Sequence, residues 1–137
     1  MLLTFSIAVL FSAAPQGRIV LVAPLEAQGA TPVQLATARD AVLLELKAQG
    51  YDARAEELGK PKDAAASVGG AVIILGASSA IMLRLRELGS NVILAATTVR
   101  YSSPEKLADA AKEAAAQLAR ESREKWGVRT RFKAPAR

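Results

Sequence analysis

The pattern of apolar positions is densest between Val68 and Tyr101, in the stretch VGGAVIILGASSAIMLRLRELGSNVILAATTVRY. It opens on the continuous run Ala71-Val72-Ile73-Ile74-Leu75, which has the length and β-branched content of a buried strand. Further on, Ile81, Leu83 and Leu85 alternate with Arg84 and Arg86, the period of a strand with one wet face. Leu88-Gly89-Ser90-Asn91 is turn chemistry, because Gly and Asn tolerate positive φ. Val92, Leu94, Ala96 and Thr98 then return against the first strand, so a β-hairpin is expected at about 80–100. Helical spacing of Ile81, Leu85 and Leu88 fits the same residues, and the turn with its β-rich partner decides for the hairpin.

The flanking chain alternates strands and helices. Arg18–Ala23, RIVLVA, is a short apolar run suited to a central strand buried on both faces. Thr31 followed by Pro32 and Gln34 carries three helix-start signals: a capping hydroxyl, proline in the first turn and a capping-box partner. Leu35, Ala38, Val42 and Leu46 follow at helical spacing, Leu43 widens the stripe, and Gly50 supplies the stop. Tyr51–Glu56 alternates strictly between apolar and charged, as an edge strand does. Pro61–Val68 reads as a short alanine-rich helix closed by Gly69-Gly70. Ser103-Pro104 repeats the cap-then-proline device, and Leu107, Ala111, Ala114 and Leu118 mark the buried face of a last helix running towards Arg120. The sum is an α/β fold (an α+β sandwich): a mixed sheet of four to five strands with two long helices and one short one.

Length and charge refine this outline. The 137 residues fit one domain with a core of its own. Met1–Ala14 is apolar and uncharged, too short for a membrane span of about 20 residues and suited to a secretory signal or its remnant. An extra amino-terminal strand is the competing reading, since Phe5, Ile7 and Val9 alternate with smaller residues. Residues 1–16 are therefore set apart as the leader, 17–122 as a single α/β domain and 123–137 as a basic tail. The net charge of +5 belongs to that end: residues 120–137 hold seven basic and two acidic side chains, and the rest of the chain is balanced. Such a tail makes nucleic acid a disfavoured partner of the globular part. Through Trp126, Arg129, Arg131 and Phe132 it could still meet nucleic acid or an anionic membrane, and the apolar leader is a second route to a membrane.

Cysteine and histidine are absent, which removes disulfides, thiolate chemistry, the usual zinc sites and the commonest general base. No metal and no cofactor are expected. The carboxylates Glu56, Glu57 and Asp63 are near one another in sequence, with nothing to place them in a cleft. One alternative competes. Gly76-Ala77-Ser78-Ser79 after an apolar strand resembles the phosphate loop of short-chain dehydrogenases, with Gly76, Ser78 and Ser79 as the cofactor contacts. That reading needs a helix over the following residues. It lacks the later loop glycines, replaced by Ala80 and Met82, and no Tyr-x-x-x-Lys follows Tyr51 or Tyr101.

With the hairpin in place, RIVLVAPLE, GGAVIILGAS, LRELGSNVILAATTV and SPEKLADAAKEAAAQLA together resemble the periplasmic amino-terminal domain of TolB and the related FlgO-like and CsgG-like envelope proteins. The resemblance spans about residues 18–120 and consists of hydrophobic and glycine positions. It implies a non-enzymatic periplasmic or secreted bacterial domain acting in protein–protein assembly at the cell envelope. The contacts expected for a protein partner are Arg84, Arg86 and Arg100 on the hairpin, with Trp126, Arg129, Arg131 and Phe132 in the tail. Strand addition at an exposed edge such as Tyr51–Glu56 is one way such a domain could hold its partner.

Overall fold

A computed structural model describes residues 18–59 and 61–133, with side chains as far as Lys125. The leader Met1–Ala14 lies outside the described residues, as do the side chains of Trp126, Arg129, Arg131 and Phe132. Six strands form one sheet: β1 (Ile19–Val22), β2 (Glu26–Gln28), β3 (Asp52–Ala55), β4 (Ala64–Leu75), β5 (Ser78–Glu87) and β6 (Ile93–Tyr101). Helix α1 (Pro32–Ala48) joins β2 to β3, and α2 (Leu107–Lys133) follows β6. The order across the sheet is β3-β1-β4-β5-β6, with β2 beside the distal half of β4. Strand β1 runs parallel to β3 and β4, whereas β4, β5 and β6 form an antiparallel meander.

Each element follows from its residues. All four residues of β1 are buried, as a strand flanked on both sides requires. The capping box at the start of α1 is complete: Thr31 Oγ1 accepts from the Gln34 amide, and Gln34 Oε1 accepts from the Thr31 amide. Its stripe Ala38, Ala41, Val42 and Leu46 is buried. The predicted hairpin is β5 and β6, with Asn91 at φ 64° in the connecting turn.

Two expectations are corrected. Pro61–Val68 is not a helix, because Ala64–Val68 is the first half of β4, paired with β1 on one side and β5 on the other. Two ready neighbours outweigh alanine's helical preference there. Among the described residues the expected four to five strands with a third, short helix become six strands and two α-helices, with β2 added from a segment expected to be loop. Gly76 to Gly89 is turn and strand, as the hairpin reading expected, and not the helix that the phosphate-loop alternative needs. Gly76 and Ala77 form a two-residue turn between β4 and β5, and Gly76 takes φ 61°, the sign the first position of a type II′ turn requires. Ser103 makes no side-chain capping bond, and a 3-10 turn at Pro104–Lys106 leads into α2 instead.

Both helices lie on one face of the sheet, packed against each other, and α2 also packs on β5 and β6. The core joins Val20, Val22, Val68, Val72, Ile81, Leu83, Leu85 and Leu94 of the sheet to Val42 and Leu46 of α1 and Ala111, Ala114 and Leu118 of α2. Each fully buried leucine in it stabilises the fold by about 1.5–3 kcal/mol. Alanines along α2 let the helix approach the sheet closely. The opposite face carries exposed Arg84 and Arg86 on β5 and exposed Thr98 and Arg100 on β6.

Candidate partner-binding face

Alternation along β5 turns Ile81, Leu83 and Leu85 into the core and Arg84 and Arg86 out on the other face, where both are exposed. Register does the rest. Arg84 stands opposite Gly69 and Arg86 opposite Ser67, while Arg100 of β6 stands opposite Ala80. All three arginines predicted as contacts therefore share the open side of the sheet. None has an ion-pair or hydrogen-bond partner among the described residues, where the ion pairs are Arg39–Glu57 and Arg54–Asp52.

The surface beside Arg84 and Arg86 is hollow. Ser67 and Gly69 are small, and nothing stands within 4 Å of where a Gly69 side chain would begin. A cavity of about 300 Å³ opens there, with Arg84 and Arg86 on one wall and Glu26 and Glu56 on the other. The neighbouring Gly70 is required by backbone proximity, since a Cβ there would lie 1.9 Å from the Met82 carbonyl oxygen. The acidic wall of Glu26 and Glu56 and the Ser67–Gly69 floor were not foreseen. Glu26 comes from a strand with no sequence signal, and Gly69-Gly70 read as a helix stop.

The resolved pKa shifts all hold groups in their ordinary neutral-pH forms. A hydrogen bond from Arg39 keeps the Glu57 carboxyl down to about 2 and raises the guanidinium in turn. The Asp52–Arg54 pair does the same, Asp52 lowered and Arg54 raised. Ser103 lowers Glu105 by hydrogen bonding, and burial raises Tyr51 and Tyr101. Glu57 is thus committed to an ion pair that ties the turn after β3 to α1, where Arg39 also donates to the Val22 carbonyl. Among the described residues no three His, Cys, Asp or Glu side chains are grouped to hold a metal, and no helix is long and apolar enough to cross a membrane.

What the arrangement offers is recognition. Unpaired guanidiniums over a shallow floor favour planar, bidentate contacts with carboxylates or other oxyanions. The phosphate-loop alternative fails on geometry: Gly76 lies in a β-turn and Ser78 and Ser79 begin β5, so the loop leads into a strand and not into the helix that reading needs. The backbone at Trp126, Arg129, Arg131 and Phe132 continues α2, which runs past residue 122 to Lys133. Arg123, counted with the basic tail, is used inside the fold, donating to the Gln49 carbonyl and side-chain oxygen at 3.1 Å each at the end of α1.

Comparison with known proteins gives the fold a context. No protein-family model matches the chain, and no curated protein matches it. Solved structures do. A variant of the PelC dodecamer from Paraburkholderia phytofirmans superposes with TM-score 0.61 at 17% identity, covering 80% of this chain and 94% of that one. TolB from Acinetobacter baumannii superposes with TM-score 0.60 at 9% identity, covering 79% of this chain and 29% of TolB. The fold is TolB-like. A neuraminyllactose-binding hemagglutinin homolog from Helicobacter pylori shares it at TM-score 0.55 and 13% identity, covering 87% of this chain and 92% of that one.

Proposed function

We propose that the chain is a non-enzymatic, extracytoplasmic α/β domain that binds a protein partner in the bacterial cell envelope through the open face of its sheet. The observation that carries this reading is the set Arg84, Arg86 and Arg100, exposed on one face with no ion-pair partner among the described residues. Arg84 and Arg86 line one cavity, and like charges there repel each other, which an acidic partner surface would relieve. The likeness to TolB and to PelC, the latter a dodecamer, supports a role in assembly. The apolar Met1–Ala14 supports export.

Site-specific photo-crosslinking in the native host tests it. A photoreactive residue at Arg84, Arg86 or Arg100 is expected to capture one discrete envelope protein, and the same residue at exposed Lys112 on the helix layer is expected to capture none. Amino-terminal sequencing of the mature chain should find cleavage near residues 14–17. Cytosolic recovery of the uncleaved chain, with no adduct from the open face, rejects the proposal. Retention on heparin that disappears when residues 123–137 are deleted would favour the tail as a nucleic-acid or membrane contact instead.

A further inference from the structure

Among the described residues the main order of the sheet ends in β3 on one side and β6 on the other, and the two ends are unlike. Strand β3 is four residues long and carries the Asp52–Arg54 ion pair, with Arg54 Nη2 and Asp52 Oδ2 2.8 Å apart. A short, charged edge of this kind resists pairing. Strand β6 has nine residues, and its pairing with β5 runs unbroken from Ser79–Tyr101 to Leu85–Ala95. The Ala96 amide leaves that ladder and donates to the Glu121 carboxylate of α2 at 3.3 Å. Alternate residues of an antiparallel strand face the same way, so Thr98 and Arg100 also turn their backbone groups outward. Glu121 closes the first half of the edge, and no other described strand pairs with the half from Thr97 to Tyr101.

Alongside that second half lies a cavity of about 510 Å³ between β6 and the first turns of α2. Buried Val99 and Ala110 form its apolar floor, with Lys106, Asp109 and Glu113 at the rim. Arg100 projects on the other face of the strand, with no ion-pair partner among the described residues. We propose that β6 takes an extended segment of a partner protein as an added strand, one whose side chains alternate between acidic and apolar. The residue opposite Arg100 shares its face of the sheet, where a carboxylate completes a cross-strand ion pair. The next residue, opposite Val99, points into the cavity, where an apolar side chain is desolvated. A second copy of β6 fits less well. Two-fold pairing about Thr98 sets Ala96, not an acid, opposite Arg100, and it needs the amide that Glu121 holds. The inference rests on the protein-binding function proposed above and narrows it to one edge.

The test is heteronuclear NMR of the full chain titrated with a blocked octapeptide alternating glutamate and valine, beside a lysine–valine control. Saturable binding is expected for the acidic peptide alone, with exchange of the Thr98 and Arg100 amides slowed about tenfold or more. Thr98→Pro removes an outward amide and should abolish it. Should that variant not fold, Arg100→Glu should reverse the preference between the two peptides. Equal binding of both peptides, protection on β3 instead, absence of saturation, or self-association of the free chain that protects the same amides each overturns the proposal. Open-face crosslinking that survives while the peptide fails leaves the general function standing and removes the edge from it.

Discussion

The Tyr51 hydroxyl lies 2.9 Å from Ser122 Oγ, and this buried bond ties the residue preceding β3 to α2. Ser122, fully buried, gives its own proton to the Ala119 carbonyl at 3.0 Å, so Tyr51 is the donor of the pair. The bond joins the edge of the sheet to the helix that closes the core.

Tyr51→Phe should therefore destabilise the fold by about 1 kcal/mol, read as a lower urea midpoint with unchanged slope. The pH dependence has a definite sign. Burial raises the Tyr51 pKa in the folded state, opposed in part by the Ser122 bond. Its contribution is complete below the ordinary tyrosine value of about 10 and is lost as pH rises through the folded value. Alkaline unfolding curves of wild type and Tyr51→Phe should converge with rising pH.

Two adjacent glycines should respond in opposite ways. Gly70→Ala drives a methyl into the Met82 carbonyl and should lower stability by roughly 2–3 kcal/mol. Gly69→Ala meets nothing within 4 Å and should stay within about 0.5 kcal/mol of wild type. Thermal denaturation of the two variants side by side decides this.

The Arg39–Glu57 pair predicts a component of acid sensitivity. The Glu57 carboxyl is held at about 2 in the folded chain, against an ordinary value of 4.5. Stability from this group is complete above the ordinary value and is lost as pH falls from there towards 2. Glu57→Gln should be less stable than wild type at neutral pH, and the gap should close in acid unfolding series.

Arg84→Ala, Arg86→Ala and Arg100→Ala should leave stability within about 0.5 kcal/mol, because their guanidiniums hold no described partner. Partner capture should fall in the same variants. A large loss of melting temperature in any of them would show that the open face contributes to folding.

Much of this was legible from residues alone. The capping box at Thr31 and Gln34, the stripe of α1, the β5–β6 hairpin and the shared face of Arg84 and Arg86 follow from local periodicity and turn chemistry. Ala64–Val68 misled because alanine's preference is helical, and only β1 and β5 on either side make it a strand. Strand β2 is three exposed residues and leaves no pattern. The cavities depend on which strands neighbour one another: Glu26 and Arg84 line one cavity from opposite sides because β2 and β5 both pair with β4. No spacing within either segment encodes that.

Strand β4 is paired by β1 along Ala64–Val68 and by β2 along Ala71–Ile73, and both partners precede it in the chain. Among the described strands β2 has no other sheet neighbour, and β1 remains a sheet edge until β4 arrives. The meander β4–β5–β6, by contrast, closes through two short turns, so the carboxy-terminal half is where folding should nucleate. A chain threaded amino terminus first through a narrow passage would thus stay extended until most of its length was through.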